Sequence, residues 1–443
     1  MWCLLTRIVK PLNGLTLRRV FMRNSTTKPS AHLIVSLVLS ALVFLQPSFA
    51  QDLGSNRAEA RQVIQIGDNH MSFGDWQDAL FQYDNAIAID PTYAKAYMKK
   101  ASVLAKVGRR KEAMELYNRA LELNPYSEYI YDERAKLKML AMDYTGALSD
   151  LDSAMQINPS ESGIRDLKVD DLIALKDYEK ALSEIDTLIA EDYRVVYELE
   201  RKALVLMLMD SINESQSVIE TLLIINPNSA FGHDLNGITQ LKNENYALAI
   251  EHFTKAIQID STFAMAYYNR GLAFKYLGNN EGALVDMNKA IELRQNLAQF
   301  YFTRAIVSKN QGEMDDALAD YDRALMLNDD FQAAFYNRAY TLKVLGNYTR
   351  ALRDVDEVLL TDPESAAAWN LKGNAHTLQD DFREAYDSYS QAINIDPDYA
   401  EAYYNRGILS LMNNRYTSGC EDLVEAERLG FQRAELKRQA FCK

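Results

Sequence analysis

Residues 366–399 read AAAWNLKGNAHTLQDDFREAYDSYSQAINIDPDY, a stretch of 34 in which Trp369, Gly373, Ala385, Tyr389, Ala392 and Pro397 mark the spacing that decides the fold. Ala385 is one of eleven small residues at a single interval of 34: Ala79, Ala113, Ala147, Ala181, Ser215, Ala249, Ala283, Ala317, Ala351, Ala385 and Gly419, with no insertion or deletion between them. A repeat of this length cannot bury its own apolar face, so it must stack on its neighbours. Function in such a chain belongs to its surface and not to a pocket.

With residue 60 as place one of the first repeat, further columns fall into register. Twelve residues before the small column stands another, Gly67, Ala101, Ala135, Ala203, Gly237, Gly271, Ala305, Ala339, Gly373 and Gly407, broken only by Val169. Two helices can cross closely there. Seven residues after it, Ala86, Ala120, Ala154, Ala256, Ala290, Ala324, Ala392 and Ala426 keep one stripe of the second helix thin. Every proline after residue 50 occupies one place, Pro91, Pro125, Pro159, Pro227, Pro363 and Pro397, where it reads as a helix stop. Gly74, Gly108, Gly278, Gly312 and Gly346 share the turn between the two helices, a place suited to a left-handed cap. Each repeat is therefore helix, turn, helix.

These residues resemble the tetratricopeptide repeat family, whose 34-residue signature runs from an aromatic through small crossing residues to a closing proline. The resemblance spans 60–433, or 374 of 443 residues. It implies an all-α fold: a right-handed superhelical solenoid of about eleven helix-turn-helix repeats whose first helices line a concave groove. Repeats four and five depart from the pattern at Val169, Leu188, Leu222, Ser215 and Tyr193, so 162–229 is expected to be a bent or loosened joint. The organisation that follows is a signal region over 1–50, a lead-in over 51–59, repeats one to three over 60–161, degenerate repeats over 162–229, repeats six to eleven over 230–433, and a capping helix over 434–443.

The chain holds 62 acidic and 48 basic residues, yet residues 1–50 carry six basic ones and no acid, which leaves 42 basic against 62 acidic, or −20, beyond them. Such a surface lacks the clustered cations that nucleic acid or anionic membrane requires. The apolar run Ala31–Leu45 follows Arg23 and Lys28 and precedes Pro47-Ser48-Phe49-Ala50. It reads as a secretory signal cleaved before Gln51, with Met22 as the natural start; the alternative is an uncleaved anchor, although the run falls short of the roughly 20 apolar residues that span a bilayer. Cys420 and Cys442 lie in the last repeat and its tail, an arrangement that reads as a disulfide in an oxidising compartment, with two buried thiols as the alternative.

No catalytic set, phosphate loop or dinucleotide fingerprint is visible, no cofactor or metal is expected, and His70, His233, His252 and His376 are scattered. One charged pattern is structural. Arginine at place seven, Arg134, Arg270, Arg304, Arg338 and Arg406, always accompanies aspartate at place twenty-three, Asp150, Asp286, Asp320, Asp354 and Asp422. Functional arginines would not each bring a private counter-ion, so these are expected to bridge the two helices of one repeat, with Lys168 and Glu184 as a sixth pair.

The second, fifth, ninth and twelfth places share one face of the first helix, the face that the resemblance assigns to the groove. Place five reads Asp132, Asp166, Glu200 and Asp234, then Tyr268, Phe302 and Tyr336, with Tyr404 in the last repeat; Asp170 widens the acidic part, and Lys275, Lys309 and Lys343 stand at place twelve of the aromatic repeats. The expectation is an acidic ladder leading into aromatics that are each paired with a lysine. The family's peptide-carboxylate clamp is not met: Ile64, Asp68, Lys99, Tyr129 and Glu133 stand at the matching places, and only Asn269, Asn337 and Asn405 repeat its asparagine.

The sequence thus describes an exported, non-enzymatic scaffold, periplasmic or extracellular in a bacterial envelope, that binds a protein or peptide in its groove and neither binds nucleic acid nor inserts in a membrane once processed. Alternatives are a membrane-anchored envelope assembly factor, and a glycan-binding protein or accessory subunit of an enzyme.

Overall fold

The computed structural model describes residues 47–442, with side chains from Ser55 onward. The apolar run 31–45 and the start at Met22 lie outside the described residues. Twenty-three α-helices and no strand occur among those described, from α1 (Pro47–Phe73) to α23 (Gln432–Phe441). They divide into two compact units at Val218/Ile219, inside the helix Ile212–Ile225 and within the 162–229 segment.

A repeat in its regular form is Ala94–Lys106 followed by Arg110–Leu123. The second helix stops where proline stands two residues on: Pro91 follows Ile89, Pro125 follows Leu123 and Pro397 follows Ile395. Proline has no N–H to continue the ladder. Where Tyr193 replaces proline, the chain turns instead through Asp192 and Arg194, both with positive φ. Place fifteen, between the helices, has positive φ in all eleven repeats, although only five of these residues are glycine. Met142, Lys176, Asp210, Glu244, Asp380 and Asn414 adopt it as well.

The small columns are buried because the helices cross on them. A Cβ on Gly373 would stand 2.5 Å from the ring of Tyr389, the place-twenty-four residue that fills the core of its repeat. In the N-terminal unit Tyr83, Tyr117, Leu151 and Ile185 fill that place, and in the C-terminal unit Phe253, Met287, Tyr321, Val355, Tyr389 and Leu423, all buried. Ser215 fits its small column because its hydroxyl donates to the Ala203 carbonyl at 2.9 Å. The closing helix α23 starts at Gln432, two residues before the expected 434. It buries only Ala434, against Leu423 and Ala426, while Leu436 and Phe441 are exposed.

Candidate protein-binding face

The charged columns are paired first within and then between repeats. Each place-seven arginine forks onto the aspartate of its own repeat: Arg134 onto Asp150 at 2.8 and 2.6 Å, Arg270 onto Asp286 at 2.7 and 2.8 Å, Arg304 onto Asp320 at 2.7 and 2.6 Å, Arg338 onto Asp354 at 2.7 Å twice, and Arg406 onto Asp422 at 2.9 and 2.7 Å. All five carboxylates are buried. The same guanidiniums also reach back to place twenty-five of the preceding repeat: Asn118, Thr254, Asn288, Asp322 and Ser390 respectively.

Three of the four lysines at place seven take only that backward partner, an aspartate in each: Lys100 with Asp84, Lys202 with Asp186 and Lys372 with Asp356. Lys168 takes both directions, Asp152 and Glu184, each at 2.9 Å. The arginines and Lys168 thus staple three helices, whereas Lys100, Lys202 and Lys372 join two.

On the first-helix face of the N-terminal unit, the acidic ladder is neutralised from inside, contrary to expectation. Asp132 pairs with Lys136 at 2.7 Å. Asp166 accepts from Arg201 and from Arg194, and Asp170 accepts from Arg201 at 2.9 Å. Arg201 is 1 % exposed and lies beside the fully buried Glu198. A buried guanidinium demands counter-ions, so it draws in the carboxylates that were expected to face a partner. Burial pushes the Glu198 carboxyl up to about 7. Glu200 is half-buried on the same helix. Among the functional residues missed in the sequence, Arg201 is the largest; its only signal was a second cation beside Lys202.

In the C-terminal unit, three place-five residues belong to the core. Asp234 is fully buried; one oxygen accepts from Asn269 at 3.0 Å, the other has no partner, and burial raises its carboxyl to about 7. Tyr268 is 1 % exposed, stacked on Phe300 at 4.8 Å and bonded to Thr303 at 3.1 Å. Phe302 packs on Phe331 at 4.7 Å. The expectation of groove contacts fails at these residues because Asp234 and Tyr268 are engaged by the first helix of the following repeat and Phe302 packs on Tyr321 and Phe331 of its own. The asparagine column is engaged in the same way: Asn405 donates to Asn370, and Asn337 accepts from Lys309, both at 3.0 Å. Tyr336 and Tyr404 are half-buried, the latter against Phe431 of the cap.

What faces outward here is the lysine column with rings that the sequence reading had not named. Lys275 sits 4.6 Å from the ring of Tyr276, and Lys309 and Lys343 lie 5.3 and 4.5 Å from the single ring of Tyr340. Tyr276 is 54 % and Tyr340 41 % exposed. None of the three lysines is ion-paired among the described residues, and burial holds all three ammonium groups below the usual lysine range, opposed only by the charge of Glu401 near Lys343.

Elsewhere, His252 occupies the place that holds aspartate in the stapled repeats, and its Nδ1 lies 3.5 Å from Nδ1 of His233. Burial lowers both imidazoles. Among the described residues no group of three or more His, Cys, Asp or Glu could hold a metal, and no helix is long and apolar enough to cross a membrane. Cys420 and Cys442 stand 5.6 Å apart at Cα with their sulfurs in bonding contact.

A family model described as TPR repeat matches residues 241–278 and 373–413, and two described as Tetratricopeptide repeat match 70–137 and 264–297. Tetratricopeptide repeats are thus matched in both units of the chain. None of the curated proteins matches it. Among solved structures it is similar to MamA 41-end from Desulfovibrio magneticus RS-1, at 20 % identity over 38 % of this chain and 94 % of that one, TM-score 0.36. It is similar also to the APC/C hetero-tetramer Cut9–Hcn1, at 13 % identity over 85 % and 96 %, TM-score 0.46. A third is YrrB, described as a TPR protein with an unusual peptide-binding site, at 21 % identity over 44 % and 97 %, TM-score 0.39.

Proposed function

We propose that this chain is an exported, non-enzymatic scaffold that binds a protein partner on the first-helix face of its C-terminal unit. The observation that carries the reading is the row Lys275, Lys309 and Lys343 with Tyr276 and Tyr340, cations without internal counter-ions beside exposed rings. Tyrosine is enriched at interface hot spots, and a partly desolvated cation without a counter-ion gains from an incoming carboxylate. The arginine and aspartate columns are held in structural pairs, which favours a scaffold over a catalyst. Export rests on the charged and apolar leader of residues 1–50, on the Ser48-Phe49-Ala50 boundary and on the placement of Cys420 beside Cys442, a pair we take to be oxidised in the periplasm or outside the cell.

Two measurements test this. A photo-crosslinker at Tyr340, used in the native envelope, should capture a partner protein that a crosslinker at exposed Met326 on a second helix does not. Equal capture from both positions, or none from either, removes the face assignment. Intact mass should place the mature N-terminus at Gln51; retention of residues 23–50 would favour the anchored alternative.

A further inference from the structure

We infer that the lysine row of the C-terminal unit takes an extended segment of a partner protein with acidic residues at alternate positions; this rests on the binding-face reading above. Lys275, Lys309 and Lys343 stand at one place of three successive repeats, in the first helices Ala264–Tyr276, Ala298–Gln311 and Gln332–Val344. Successive first helices touch: the Tyr268 hydroxyl meets Thr303, and Lys309 donates to Asn337. The cations therefore form a row across the helices.

The spacing is bounded by the shared ring. Lys309 and Lys343 lie 5.3 and 4.5 Å from the centre of Tyr340, so their ammonium groups are no more than about 10 Å apart, and alternate side chains of an extended strand, roughly 7 Å apart on one face, fall within that span. The methylene groups of the acids, on the same face as their carboxylates, would lie against the exposed rings of Tyr340 and Tyr276, while the residues between the acids point away. The energetics point the same way. A cation that has lost part of its water without gaining a carboxylate is destabilised, and an incoming carboxylate relieves it. On the same first helices and their successors the place-seven cations Arg270, Arg304, Arg338, Lys372 and Arg406 already hold carboxylates, so on this face the row offers a foreign acid charge that no carboxylate has claimed.

The ligand is a protein segment and not a nucleic acid, because the chain carries a formal charge of −14, and long-range repulsion disfavours a uniformly charged polyanion more than a short mixed segment. The test uses the full chain and a short fluorescein-labelled peptide of alternating glutamate and valine, read by anisotropy, with the glutamine-valine counterpart and a short oligothymidylate as comparisons. The glutamate peptide should bind, the glutamine peptide should not, and rising salt should weaken binding. The combined variant Lys275→Gln, Lys309→Gln, Lys343→Gln should lose about tenfold or more in affinity while circular dichroism stays unchanged. Lys309→Arg, which keeps the charge, should bind within a few-fold of the parent chain.

Equal binding of the two peptides, unchanged affinity in the folded triple variant, or preference for oligothymidylate each overturns the inference. A crosslinked partner that the triple variant still captures, and that the glutamate peptide does not displace, also overturns it while leaving the binding face in place. Failure to capture any partner strikes the face itself.

Discussion

Arg304 hydrogen-bonds forward to Asp320 and back to Asn288, each 16 residues away, so one guanidinium joins two helices of its own repeat to the second helix of the repeat before. Asp320 is buried and Arg304 is one-quarter exposed. Arg304→Ala should therefore cost about 2–3 kcal/mol, less than a fully buried pair because water reaches the cation. Hydrogen exchange of the helices 298–311 and 314–327 reads this locally. Arg304→Lys alone should recover part of the loss, and Arg304→Lys with Asn288→Asp should recover more, as in the two-way pairing of Lys168 with Asp152 and Glu184. If Asn288→Asp adds nothing to the lysine variant, the backward contact carries no energy.

Asp171 is fully buried, and neither of its carboxylate oxygens has a partner. Burial, assisted by the charges of Asp170 and Asp143, raises its carboxyl to about 7. The folded state thus holds a proton that the unfolded chain releases near pH 4, and the stability this group contributes is full below that pH and declines as pH rises through about 7. Asp171→Leu should stabilise the N-terminal unit by about 1–3 kcal/mol at pH 8 and by little at pH 4. Thermal melts of both proteins at the two pH values check it; equal shifts at both would mean that the site is wet.

Tyr268 and Tyr336 occupy the same place of the repeat but should respond differently. Tyr268→Ala should destabilise by about 3–5 kcal/mol, because it removes a buried ring stacked on Phe300. Tyr268→Phe should cost about 1 kcal/mol through its lost bond to Thr303 and leave partner binding per folded molecule unchanged. Tyr336→Ala should instead affect partner dissociation more than stability. Melting curves beside dissociation kinetics with the captured partner separate the two.

The proposed Cys420–Cys442 bond would close a loop of sequence separation 22, and on the chain-entropy model it would contribute about 3 kcal/mol. Cys442→Ser should release α23 with little effect on earlier repeats, since each repeat contacts mainly its neighbours. Reductant should lower the melting temperature of the native protein and not of this variant. Two reactive thiols in unreduced native protein would show that the bond does not form.

The fold was legible because a few residues have no alternative role: Ala385 stands where helices cross, Pro397 where one must stop. The arginine and aspartate columns were legible as a co-occurrence. Their backward contacts were not, because place twenty-five varies among aspartate, asparagine, threonine and serine, and only the cation gives those residues a common task. Burial within a column was hidden for a related reason. Phe300 of the following repeat covers Tyr268, whereas Ala368 stands at the corresponding place beyond Tyr336, so identical residues at identical places differ through a neighbour some thirty residues away. Within the acidic run Asp166 misled because Arg201, outside that column, claims it together with Asp170.

The turn at place fifteen distributes a cost unevenly along the chain. Met142, Lys176, Asp210 and Glu244 hold a left-handed backbone in four consecutive repeats, where the flanking repeats use glycine, and a side chain there costs on the order of 1 kcal/mol per turn. In a linear lattice of near-equal links, a run of slightly weaker ones decides where the lattice parts first. Repeats three to six should therefore release their amide protons before the repeats on either side, and the chain would lose its order from within while both ends still hold.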